Sequence, residues 1–176
     1  MKRDLAMMER QSFDLTVIGG GIIGACIARD AARRGLSVAL VEQNDFASAA
    51  SEAMSHTIHG GIRYLASGQL ALVRQALAEK AIWLSTAPDF VCDQPFMLPL
   101  KGGMKSWQMR TGVALYQRLS RRRSTTLSAK EALELEPCLE MPNLSGAAIY
   151  HDARIDDPDA LIRTLLQDAA AHGGRV

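Results

Sequence analysis

The eight residues Val17-Ile18-Gly19-Gly20-Gly21-Ile22-Ile23-Gly24 constrain the fold more tightly than any other stretch of the chain. Gly19, Gly21 and Gly24 make a G-x-G-x-x-G spacing, which alone is a weak signal. Its surroundings strengthen it. The apolar run at 13–18 predicts a strand, residues 22–35 predict a helix stopped at Gly35, and residues 37–42 predict a second strand. Strand, helix and strand in so short a span form a βαβ unit, with parallel strands and a right-handed crossover. In such a unit Gly19 permits a tight turn, Gly21 lets the backbone approach a pyrophosphate, and Gly24 lets helix and strand pack closely, with Gly20 in the same loop. The helix N-terminus adds unpaired N–H groups and about half a positive charge. Glu42, ending the second strand, is placed to accept both hydroxyls of a ribose and to repel a 2′-phosphate. These residues point to a dinucleotide other than NADP. A glycine turn that only packs a helix, with no ligand, is the alternative.

Composition excludes several other classes. A net charge of +1 and 5% aromatic residues argue against a nucleic-acid surface. Cys26, Cys92 and Cys138 lie far apart without a CxxC pair, so neither a metal site nor a disulfide framework is expected. Each reads as a small buried hydrophobe in a reducing, cytoplasmic compartment. The apolar run at 15–28 holds three consecutive glycines and is too short to span a bilayer. Arg29, Asp30, Arg33 and Arg34 separate it from the small residues at 47–53, which argues against a signal peptide.

Further elements follow. Residues 69–87 predict a helix with Leu70, Val73, Leu77, Ala81 and Leu84 on one face, ended by Pro88. Residues 95–100 predict a short edge strand with prolines at its margins. A basic amphipathic helix is expected at about 104–120, with Gly112, Leu115, Tyr116 and Leu119 on one side. Ser128 and Glu131 form a capping box for a short helix before Pro137. Residues 147–150 predict a strand. Asp157 caps a helix with Pro158 at its first position, running through Leu161, Leu165 and Ala169 to Gly173. Arg175-Val176 then stands where an α/β chain opens a new strand, so the expectation is an incomplete domain, part of a longer chain.

Residues 47–65, "ASAASEAMSHTIHGGIRYL", carry the most chemistry: short hydroxyl side chains, then two histidines, a Gly-Gly pair, an arginine and a tyrosine. Together with "GGGIIGACIARDAARRGLSVALVEQNDFAS", "PFMLPL" and "YHDARIDDPDALIRTLLQDAAAHGGRV", this stretch resembles the flavin-dependent glycerol-3-phosphate dehydrogenases, within a wider superfamily of amine- and hydroxy-acid-oxidising flavoproteins. The likeness covers residues 13–176, the N-terminal part of family members several hundred residues long. It implies a Rossmann-like α/β fold binding FAD. The divisions it suggests are a lead-in at 1–12, an FAD-binding region at 13–87, the start of a substrate domain at 88–150 and a return segment at 151–176.

By the same resemblance, Ser48, Ser51 and Ser55 donate toward the FAD pyrophosphate, and Gly60 and Gly61 lie against the flavin ring. His59 donates to ring or substrate oxygen, Arg63 offers a planar fork to a phosphate dianion, and Tyr64 sets a hydroxyl beside it. The phosphate-facing half departs from the family pattern: Ala49 and Ala50 replace Gly-Thr, Glu52 replaces Ser, Ala53 Arg, Met54 Ser and His56 Lys. His56 reads as a surface residue. The implied reaction oxidises sn-glycerol 3-phosphate to dihydroxyacetone phosphate. A base takes the C2 hydroxyl proton, hydride passes from C2 to the flavin, and quinone is the acceptor. The base and further phosphate-binding arginines lie downstream in the family, so the chain alone is expected to be inactive. The basic helix reads as solvated. Its alternative is a peripheral contact with the inner face of the cytoplasmic membrane, with Trp107 and Tyr116 at headgroup level and Arg121, Arg122 and Arg123 on anionic lipid. Two competing functions remain: a non-catalytic dinucleotide-binding fragment or degenerate pseudo-enzyme, and a sister flavoprotein oxidising an amino or hydroxy acid.

Overall fold

A computed structural model of the chain describes residues 8–48, 51, 53–123 and 125–175, with the side chains of 104–106 outside that description. The lead-in residues 1–7 and the variant positions Ala49, Ala50 and Glu52 lie outside the described residues, as does Val176. The chain divides into two compact units, residues 1–56 with 156–176, and residues 57–155. The division falls at 56/57 and 155/156.

In the first unit, β1 (Leu15–Ile18) and β2 (Val38–Val41) are parallel, with Leu15 opposite Val38 and Ile18 opposite Val41. Helix α1 (Ile22–Arg33) connects them, and Gly35 follows it with a positive φ of 83°. The buried face of α1 is built from small residues, Ala25, Ala28, Ala31 and Ala32. This narrow face lets a second helix, Pro158–Ala171, pack against it with Leu161, Ile162, Leu165, Leu166 and Ala169 buried. Asp157 caps that helix by accepting from the Ala160 N–H at 2.9 Å, and Pro158 occupies its first turn. Asp168 accepts from Arg29 at 2.5 Å and Arg33 at 3.0 Å, tying the two helices together. The expected strand start at the C-terminus is present in outline: the Arg175 N–H donates to Val38 O, and the Leu40 N–H to Arg175 O, both at 2.7 Å. That pairing is parallel to β2.

The second unit is an antiparallel sheet with helices packed on it. Its path is β3 (Thr57–Ile58), β6 (Leu144–Ile155) and β4 (Val91–Lys101), with β5 (Thr125–Leu127) also paired to β6. The strands expected at 95–100 and 147–150 are the centres of longer ones. Pro95 and Pro99 sit inside β4, opposite His151 and Ala147. They share one parity, so both missing N–H groups fall on one side of a strand that has an unpaired side, which an edge strand tolerates.

Helices α2 (Leu70–Thr86), α3 (Met104–Leu119) and α4 (Ala129–Leu135) belong to this unit, and the helix Pro158–Ala171 of the first unit is α5. Ser128 and Glu131 close the expected capping box on α4. Two helix faces differ from expectation. Helix α2 buries Val73, Leu77 and Lys80, while Leu70 and Ala81 are exposed. Helix α3 buries Val113, Tyr116 and Gln117, while Leu115 is 42% exposed. Tyr116 is thus a core residue, with Val73 and Leu77, and cannot stand at headgroup level. Side chains of this size contribute roughly 1.5–3 kcal/mol each when fully buried. Cys138, expected to be buried, is exposed, while Cys26 and Cys92 are half-buried. Among the described residues no helix is long and apolar enough to cross a membrane.

Candidate functional site: a glycine cradle and a histidine-arginine segment

The first unit carries the glycine cradle. Gly19 has a φ of 108°, in the region that favours glycine. A Cβ at Gly24 would collide with the Gly19 carbonyl oxygen, and one at Gly20 with the Phe46 ring. A Cβ at Gly21 would stand 2.9 Å from Ser51 Oγ. Gly19 therefore makes the turn and Gly24 the close helix packing that the spacing requires. Gly24→Ala is expected to destabilise the first unit by about 1–3 kcal/mol, the usual range for overpacking. Urea unfolding followed by circular dichroism measures this, and an unchanged midpoint contradicts the packing role.

Gly21 caps α1 without a side chain, leaving the helix end to outside partners. Ser51 supplies one: its Oγ accepts from the Ile22 N–H at 3.0 Å, which leaves its own hydroxyl proton free to donate onward. Ser48 behaves differently. Its hydroxyl donates to the Asp45 carbonyl at 2.6 Å, so its proton is committed to a turn rather than offered to an anion. Ser55 is exposed. Ser48, Ser51 and His56 line one cavity of about 380 Å³ with Phe46 and Arg163. Arg163 is held there by Asp159 at 2.8 Å and Asp45 at 3.2 Å. His56 has a φ of 54° and is half-buried, so it is more than a surface side chain.

Glu42 turns back onto the cradle. Its carboxylate accepts from the Gly20 N–H at 2.7 Å and the Asn44 N–H at 2.9 Å. These bonds, Gly20 first, hold its carboxyl below the ordinary glutamate range. The ionised form is favoured in the fold, so its contribution is complete above the ordinary range and disappears as pH falls through the lowered value. Each oxygen keeps a lone pair for a ribose hydroxyl. Glu42→Ala is expected to weaken dinucleotide binding about tenfold, on the scale of one charged hydrogen bond. The loss relative to wild type should shrink on acidification below the glutamate range. Equal affinities at neutral pH would remove Glu42 from the site.

The second unit carries His59–Tyr64. His59 is exposed, and its ring meets Tyr64 edge-on with centroids 6.2 Å apart. Residues Ile62–Leu65 form a 3₁₀ turn that starts from Gly61, whose φ is 80°. At Gly60 the unit's own core demands glycine: a Cβ would collide with the Tyr116 hydroxyl and Leu77. Arg63 makes no ion pair among the described residues. It lies on a cavity of about 830 Å³ lined also by Ile62, Leu98, Met109, Val113 and Tyr150. Burial, then the Asp152 carboxylate, push the Tyr150 hydroxyl up, and the Arg63 charge opposes them.

Beneath the segment is a cluster that sequence reasoning missed. Asp152 Oδ1 accepts from the Gly60 N–H at 3.0 Å, from Lys80 Nζ at 2.9 Å and from the Tyr116 hydroxyl. Lys80 also donates to the His151 carbonyl at 2.9 Å and stands 5.5 Å above the Tyr116 ring. Asp152 is 2% exposed, Lys80 6% and Tyr116 0%. Burial first, then the Asp152 carboxylate, push the Tyr116 hydroxyl up, so it remains a donor. The signal was present: Lys80 falls seven residues after Val73 and three after Leu77, on the buried stripe.

Comparison with known proteins adds to this geometry. A family described as FAD dependent oxidoreductase matches residues 14–176. An aerobic glycerol-3-phosphate dehydrogenase of Staphylococcus saprophyticus is 39% identical over 182 aligned positions, covering 100% of this chain and 32% of that protein. A solved glycerol-3-phosphate dehydrogenase from Bacillus halodurans, complexed with FAD, has a TM-score of 0.68 at 32% identity and covers 96% of this chain and 27% of its own. A glycine oxidase from Geobacillus kaustophilus has a TM-score of 0.74 at 26% identity, covering 92% and 45%. The chain spans about a third of the length of the curated relatives it matches.

Proposed function

The chain belongs to the FAD-dependent oxidoreductase family, and on that premise we propose that it serves FAD-dependent oxidation of sn-glycerol 3-phosphate to dihydroxyacetone phosphate. The observation that carries this reading is Arg63, a guanidinium without an ion-pair partner among the described residues, in the segment His59-Gly60-Gly61-Ile62-Arg63-Tyr64. The glycine cradle supports binding of the FAD pyrophosphate: Gly20, Gly21 and Gly24 stand where a Cβ would be crowded, and Ser51 at the start of α1 keeps a proton to donate. Glu42 retains lone pairs for the adenosine ribose. When bound, FAD supplies the two-electron acceptor. Arg63 binds the substrate phosphate bidentately, Tyr64 sets its hydroxyl beside it, and His59 donates to a substrate oxygen.

Quinone is the acceptor in this reading, reached through a peripheral contact of α3 with the inner face of the cytoplasmic membrane. Trp107 is 57% exposed, and Arg121, Arg122 and Arg123 are exposed just past the helix end, with Arg122 paired to Asp93 at 3.2 Å; the exposed Trp107, Arg121 and Arg123 support an interfacial helix. Co-sedimentation with anionic but not neutral vesicles is the expected result, and equal recovery with both contradicts it.

A second reading, oxidation of an amino acid, is favoured by the higher TM-score to the glycine oxidase. A substrate screen with a quinone analogue as acceptor separates the two. Turnover of glycerol 3-phosphate without turnover of glycine supports the first, and the converse supports the second. Absence of bound flavin after reconstitution defeats both and leaves a non-catalytic fragment.

A further inference from the structure

Within the second unit a buried carboxylate fixes one peptide plane. The described peptide bonds are trans, so the Gly60 N–H and the His59 carbonyl point in opposite directions. The N–H is bound to Asp152 Oδ1, so the His59 carbonyl faces away from that carboxylate. Gly60 has no freedom to shift inward, because Tyr116 and Leu77 fill the space where a side chain would stand. Gly61 then starts the turn that presents Arg63 and Tyr64.

A charged pair is a poor choice if stability alone were at stake. Desolvation of two buried ions offsets most of their attraction, and apolar replacements of similar volume often stabilise as well. What an apolar trio lacks is an acceptor for the Gly60 N–H. We infer that Asp152, held in place by its bonds from Lys80 and the Tyr116 hydroxyl, is a positioning residue: it orients the His59–Gly60 peptide, and through it the side chains of His59 and Arg63 toward substrate. The inference rests on the functional reading above for what the segment does, and on this geometry alone for how the segment is held.

The test uses a catalytically competent, FAD-loaded assembly of the protein and two variants. Asp152→Asn keeps the side-chain shape and removes the charge. Lys80→Met with Asp152→Leu replaces the ion pair by apolar side chains. Exchange of the Gly60 amide is followed by NMR, and flavin reduction by glycerol 3-phosphate is followed by stopped flow with FAD content measured in each preparation. Wild type is expected to protect the Gly60 amide. Both variants should exchange it about tenfold faster or more, as a weakened hydrogen bond to a charged acceptor implies. They should keep their FAD yet reduce it at least about tenfold more slowly at saturating substrate, with substrate affinity changed less than about threefold, the mark of lost orientation rather than lost binding. Unchanged Gly60 exchange overturns the inference, and so does faster exchange with an unchanged reduction rate. If the double variant does not fold, Asp152→Asn decides alone. Wild type that holds FAD but is not reduced by glycerol 3-phosphate overturns the functional reading. Gly60 exchange in Asp152→Asn then sustains or overturns the positioning by itself.

Discussion

Lys80→Met is expected to destabilise the protein by about 3–5 kcal/mol, because it strands a buried carboxylate without its cation. Asp152 is 2% exposed and accepts three hydrogen bonds on one oxygen, of which the Lys80 bond carries the neutralising charge. Methionine preserves the length of the side chain and its packing beside Tyr116, so the loss reports the charge. Combining Lys80→Met with Asp152→Leu removes both ions and should recover more than half of the loss. The remainder reflects the Gly60 N–H and Tyr116 hydroxyl left without an acceptor. Urea unfolding of the two variants against wild type measures both numbers. A single variant within about 1 kcal/mol of wild type, the level of a surface pair, would show that the pair is solvated and weak.

Arg63→Ala has the largest expected effect on activity. A phosphate dianion needs a fixed cation, and losing one such partner lowers kcat/KM for glycerol 3-phosphate by about 30- to 1000-fold. Glycerol never had that contact, so its slow oxidation should hardly change. Because Arg63 makes no ion pair among the described residues, the substitution breaks no internal bridge, and FAD content and unfolding midpoint should stay near wild type. Equal losses for phosphorylated and unphosphorylated substrates would assign Arg63 to the fold or the cofactor. A catalytically competent assembly of the protein is needed for both assays, and flavin content is measured in each preparation.

What was legible in the sequence is what local rules determine. The G-x-G-x-x-G turn, the strands flanking it, the capping box at Ser128 and Glu131, and the Asp157-Pro158 helix start depend on residues a few positions apart. Each appears where its spacing places it. Glu42 was legible as an acid at a strand end, but its bond to the Gly20 N–H spans 22 residues and emerges only from the folded βαβ unit. The Asp152 cluster was illegible for the same reason at longer range, since 72 residues separate Lys80 from Asp152 and 36 separate Tyr116 from it. Lysine in a helix reads as solvent-facing by default, so the periodicity points to Ala81 where the structure buries Lys80. In α3 the apolar residues suggested a face through Leu115. Burying Gln117, whose amide donates to the Ile149 carbonyl at 3.2 Å, turns the helix toward Val113 and Tyr116 instead. Ser48 resembled Ser51 in the sequence, yet a turn bond to Asp45 separates their roles.

The glycine at position 60 shows how one residue can satisfy two explanations. A flat ring beside the backbone and a crowded interior both demand the absence of a side chain. The interior demand is visible in the structure, where the Tyr116 hydroxyl and Leu77 occupy the Cβ position. Gly60 therefore supports a flavin segment only through its neighbours, and His59, Arg63 and the cradle in the first unit carry the functional proposal.

Anaerobic titration of a catalytically competent, FAD-loaded assembly of the protein with glycerol 3-phosphate, followed by flavin absorbance and product analysis, tests the proposed reaction most directly. One equivalent is expected to bleach one bound flavin and yield one equivalent of dihydroxyacetone phosphate, while glycine leaves the spectrum unchanged. A bound flavin that stays oxidised with excess glycerol 3-phosphate and is bleached by glycine would contradict it.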